Sequence, residues 1–87
     1  WSLGNEAGPG QNFRSAEKMV KARDMSRPTH YERNNDIVDL GSNQYPSVDW
    51  TRSMAGNKDF PKPYYISEYA HNMMNAMGNL ADYWEAI

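Results

Sequence analysis

Trp1-Ser2-Leu3-Gly4-Asn5-Glu6 has the character of a short buried strand ending in Asn-Glu, and Ala7-Gly8-Pro9-Gly10 after it continues neither strand nor helix. The pattern predicts Glu6 at a C-terminal strand tip. Parallel α/β folds gather catalytic groups there, because their loops converge over the strand ends. A second stretch repeats the arrangement: Tyr64-Tyr65-Ile66-Ser67 leads into Glu68, with Tyr69-Ala70-His71 beyond. One loop carboxylate is ordinarily a solvated residue. Two of them at two strand ends are what glycoside hydrolysis needs.

Between these stretches the chain alternates. Gln11 or Asn12 can cap a helix running to about Asp24, with Phe13, Ala16, Val20 and Arg23 at three- and four-residue spacing and Met19 beside them. Glu17 and Lys21 are four apart in the favourable order. Ser26-Arg27-Pro28 should end this helix, since a residue before proline is pushed out of the α region. Pro28 to Glu32 and Ile37 to Ser42 read as strands, and Ser47 or Asp49 as the cap of a short helix through Met54. A last helix is expected from about Asn75 to Ile87, with Met77, Leu80, Ala81 and Trp84 facing inward. Strands alternating with crossovers imply a parallel sheet. With both acids at strand ends, the expected class is α/β, part of a (β/α)8 barrel. A doubly wound open sheet is the runner-up, but Gly8-Pro9-Gly10 lacks the spacing of a phosphate-binding glycine loop.

Composition narrows the chemistry. No cysteine among 87 residues excludes thiol catalysis, disulfides and Cys-based metal sites, and a formal charge of −2 gives no basic surplus for nucleic acid. No window approaches the roughly 18 apolar residues of a membrane span. Leu, Ile, Val and Phe make only 11 of 87 residues, partly offset by six Tyr, three Trp and six Met. Residues 1–87 are therefore expected to be a slice of a larger barrel domain, completed by the remainder of that barrel.

Several other side chains can serve a site, each with a plainer alternative. Asn5 offers donors and an acceptor to a sugar hydroxyl, or simply makes a turn. Tyr45 can hydrogen-bond a carboxylate nucleophile and hold it ionised, or pack. His71 can meet a substrate hydroxyl, a metal or a backbone carbonyl. His30 has no companion at metal-ligand spacing and reads as structural. Trp1 and Trp50 can stack on a sugar face, whereas Trp84, Met73, Met74 and Met77 read as core.

Trp-Ser-Leu-Gly-Asn-Glu-x-Gly-x-Gly, ending at Gly10, resembles the acid/base motif of the bacterial β-galactosidases of glycoside hydrolase family 2. Ser26-Arg27-Pro28 with Tyr31-Glu32 resembles that family's next strand, and Glu68-Tyr69-Ala70-His71 with Met73, Asn75, Gly78, Tyr83 and Trp84 is similar to its nucleophile segment. The resemblance runs along essentially the whole chain, with residues 33 to 62 the weaker middle. It implies about strands four to seven of the barrel and a retaining mechanism on terminal β-galactosides. Glu68 would be the nucleophile and Glu6 the acid/base. Asn5 would hold the sugar 2-hydroxyl, Tyr45 would touch the nucleophile, and His71 would contact galactosyl hydroxyls. A silent carbohydrate-binding barrel, or another β-glycosidase of the family, is the alternative reading. In metal-dependent members the residue matching Glu6 also binds Mg²⁺, with two partners earlier in the chain; Na⁺ accompanies it in complete enzymes, and a homo-oligomer is a further partner to expect. Two departures touch the pocket: Gln44 precedes Tyr45 where the family usually has Met, and Met73-Met74-Asn75-Ala76 replaces Met-Gly-Asn-Ser.

Overall fold

The computed structural model describes residues 1–87 as α1 (Gln11–Arg23), β1 (Gly41–Gln44), α2 (Val48–Ala55), β2 (Tyr64–Glu68) and α3 (Leu80–Ala86). The class is α/β, with β1 and β2 paired in parallel. Pairing extends the same way toward the start of the chain: Ser2 bridges His30 and His30 bridges Leu40, both in parallel. Each extended segment therefore lies beside the next one in sequence, which is the order a βα barrel requires.

Two compact units share the chain, and β1 and β2 each run from the first into the second. In the first unit (Trp1–Ser42 and Lys62–Tyr65) α1 packs through Phe13, whose ring stacks on Tyr31 with centroids 4.0 Å apart. Tyr31 and Thr29 are wholly enclosed. Gly4 sits close under this contact: a Cβ there would stand 3.0 Å from Phe13 and 3.4 Å from Tyr31, so the rings would have to give by a few tenths of an ångström. In the second unit (Asn43–Pro61 and Ile66–Ile87) α2 packs on α3. Ser47 caps α2, its hydroxyl accepting from Trp50 N–H at 3.1 Å. Tyr83 anchors α3: its ring meets Tyr69 edge-on, and its hydroxyl donates to the Pro46 carbonyl at 2.5 Å.

Several sequence expectations are corrected. α1 has Gly10 as its N-cap with no side-chain cap, rather than Gln11 or Asn12; its end at Arg23, with Asp24 as C-cap, agrees with the expected end at about Asp24. The helix stops there because Asp24 turns extended and its carboxylate accepts from the Ser26 N–H and hydroxyl. Lys21 pairs with Asp39 rather than Glu17, which accepts instead from the Thr29 hydroxyl at 3.5 Å. The expected strands at Trp1 to Glu6 and Pro28 to Glu32 are reduced to single bridges at Ser2 and His30. The expected strand at Ile37 shifts to Gly41–Gln44 because Lys62 takes the carbonyls of Asn35 and Val38, at 2.5 and 2.6 Å, out of any ladder. The Asn35 side chain then occupies the N–H and carbonyl of Ser42.

α3 starts at Leu80 rather than Asn75, and its inner face is Tyr83 and Ala86. Met77, Leu80, Ala81 and Trp84 are exposed, as are Met73 and Met74, so the expected apolar stripe and Met cluster are not core. The cause is Gly78. With φ 66° it turns the chain against Ala70, where a Cβ would stand 2.4 Å from the carbonyl oxygen, and Met73 and Met74 lie in a turn before the helix.

Candidate active site

Both expected acids lie where extended segments end, one in each unit. In the first, Glu6 follows the Ser2 bridge, exposed, at φ 54°. A non-glycine residue in that left-handed region carries a cost of about 1–2 kcal/mol, so neighbouring contacts must hold it there. Glu32 Oε1 accepts the Glu6 N–H at 2.8 Å, and the Tyr31 hydroxyl donates to the Ala7 carbonyl at 2.5 Å. Asn5 lies exposed beside Glu6. Burial in the stack on Phe13 pushes the Tyr31 phenol up, which keeps it a donor.

In the second unit Glu68 is the last residue of β2. Each of its carboxylate oxygens has a donor: Gln44 Nε2 lies 2.7 Å from Oε1 and the Tyr45 hydroxyl 2.5 Å from Oε2. These donors follow from strand pairing. Tyr45 N–H donates to the Glu68 carbonyl at 2.8 Å, which sets the end of β1 beside the end of β2. Tyr45 then turns at φ 47°, and its ring meets His71 edge-on at 5.2 Å. Of the expected site residues, Glu68, Tyr45 and His71 thus form one cluster, while Glu6 is held by Glu32 with Asn5 preceding it in the chain. Three of the four non-glycine residues with positive φ, Glu6, Tyr45 and Ala70, belong to or adjoin these clusters. A carboxylate met by two donors is aimed as well as solvated, as an attacking group requires.

His30 is structural, as its spacing suggested. Its Nε2 lies 2.7 Å from the Ser42 hydroxyl, its ring meets Tyr65 edge-on, and burial holds its pKa below 6.5. Trp1 is occupied locally, donating Nε1–H to Asp24 at 2.9 Å under the Arg27 guanidinium. No group of three or more His, Asp or Glu side chains gathers at Glu6 or elsewhere. These residues alone therefore do not fit a Mg²⁺ site, and no step below passes through a metal. Two further residues belong to these clusters. Gln44 reads from the sequence only as a departure, and pairing of β1 with β2 is what brings it beside Glu68. Glu32 carried one usable signal, an acid closing an extended segment as Glu6 and Glu68 do.

The whole chain, residues 1–87, matches the family model described as glycosyl hydrolases family 2, TIM barrel domain. The chain belongs to that family. It is similar to proteins named beta-galactosidase from Actinobacillus pleuropneumoniae, 38% identical over 96 residues, covering 100% of this chain and 10% of that protein. Similar relatives come from Priestia megaterium, 41% over 91 residues (98% and 9%), and Enterobacter cloacae, 35% over 101 residues (100% and 10%), the latter named beta-galactosidase 2. The chain thus spans about a tenth of the length of these relatives. No helix in it is long and apolar enough to cross a membrane.

Proposed function

We propose that this chain supplies both reacting carboxylates of a retaining β-galactosidase, from about strands four to seven of its barrel. The observation that carries this reading is Glu68, at the end of a parallel strand with both oxygens held by Gln44 and Tyr45. Similarity to the named beta-galactosidases supports the galactoside as substrate.

In the first step Glu68 attacks the anomeric carbon. The bond from that carbon to the leaving oxygen breaks, and the Glu6 carboxyl gives its proton to the departing group. In the second step water attacks the same carbon, Glu6 takes its proton, and the ester to Glu68 breaks. Asn5 holds the sugar 2-hydroxyl and His71 other galactosyl hydroxyls. The 87 residues alone lack the rest of the pocket and do not turn over.

The test is mass mapping of the intact polypeptide carrying these residues after incubation with an activated 2-deoxy-2-fluoro-β-galactoside. One sugar on the peptide containing Glu68, and none in Glu68→Gln, is expected. A folded polypeptide that binds galactosides but takes no label and releases no product would instead be a carbohydrate-binding barrel.

A further inference from the structure

The turn bearing Glu6 is held by a second acid that no step above uses. The Glu32 side chain is 2% exposed, and its Oε1 accepts the Glu6 N–H from 26 residues away at 2.8 Å. The nearest cation is distant for an ion pair: Arg33 Nε lies 3.9 Å from that same oxygen. Oε2 is buried with no hydrogen-bond partner in the chain. Enclosing a carboxylate so sparsely compensated works against folding, and an apolar side chain of similar volume would suit the position better if packing were its whole purpose. What an apolar side chain cannot do is accept that N–H. The adjacent Tyr31 completes the clamp, donating to the carbonyls of Ala7 at 2.5 Å and Gly8 at 3.3 Å. Two neighbouring side chains thus fasten three consecutive residues of the turn.

We propose that Glu32 is a positioning residue for Glu6. By accepting its N–H it keeps Glu6 at φ 54°, and so sets the direction in which the Glu6 carboxyl leaves the backbone. This rests on the reading of Glu6 as acid/base. If it holds, loosening the turn harms proton delivery to the leaving group more than attack by Glu68. Substrates that need protonation should suffer, and those with activated leaving groups should not.

The test compares kcat/KM across aryl β-galactosides of graded leaving-group basicity, using the intact polypeptide. Glu32→Met fills the volume without an acceptor, Glu32→Gln retains an acceptor oxygen, and Glu6→Gln is the reference. Glu32→Met is expected to lose about 10- to 100-fold on the poorest leaving groups and less than about threefold on the most activated, the scale of a small misplacement of a reacting group. Glu32→Gln should stay within about threefold of the parent throughout. An equal loss on all substrates in Glu32→Met, or no loss, overturns the positioning role while a graded loss in Glu6→Gln leaves the acid/base reading intact. A flat profile in Glu6→Gln itself overturns both. Should Glu32→Met fail to fold, Glu32→Asp, which withdraws the acceptor by one methylene, carries the same comparison.

Discussion

One short contact of Tyr45 should be measurable. Its hydroxyl reaches Glu68 Oε2 at 2.5 Å from a backbone held at φ 47°. A hydrogen bond to a charged group is worth about 1.5–3 kcal/mol, so Tyr45→Phe should slow formation of the glycosyl-enzyme roughly 10- to 100-fold. Pre-steady-state release of the aryl group reads that step, and a change below about twofold would mean that Tyr45 does not orient the nucleophile. Gln44 holds the other oxygen. Local sequence pointed to Tyr45 as a strand-end aromatic. It could not assign Gln44, because only pairing of β1 with β2 determines which side chains of one strand reach the tip of the other.

At the level of elements, the short parallel bridges depend on buried polar links, and one of them titrates. His30 joins the Ser2 and Leu40 segments, and its ring meets the Ser42 hydroxyl. Burial, the largest cause, lowers its folded pKa beneath 6.5, whereas nearby Glu32 acts the other way. Between those two pKa values the unfolded chain binds the proton and the folded chain does not, so stability falls as pH drops. The contribution of neutral His30 is fully present above pH 6.5 and lost as pH falls through its lowered folded value. The thermal midpoint of His30→Gln should therefore trail that of the parent most above pH 6.5, with the gap closing at lower pH. A gap that widens on acidification would contradict this assignment. The helices show how local patterns compete with tertiary contacts. α2 follows its Ser47 cap closely, whereas α3 is displaced by the turn at Gly78 and faces inward through Tyr83.

At the level of the whole chain, little apolar side-chain mass is enclosed. Tyr31, Val38, Tyr83 and Ala86 are the buried hydrophobic residues, while Met74, Met77, Trp84 and Ile87 are each more than half exposed. So small a core gives marginal stability at best. The 87 residues expressed alone should show a broad, weakly cooperative thermal transition and bind a hydrophobic dye, and a sharp two-state transition would refute this. The sequence by itself determined the α/β class, the parallel order, the two acids at segment ends and a capped short helix starting at Ser47 or Asp49, because each depends on neighbours a few residues away or on a local motif. Only the tertiary structure decided the short reach of the first strands, the exposure of the methionines, and the holding of Glu6 by Glu32 and of Glu68 by Gln44. Those outcomes depend on which distant segments compete for the same backbone groups, as Lys62 and Asn35 do before β1, and no local pattern encodes that competition.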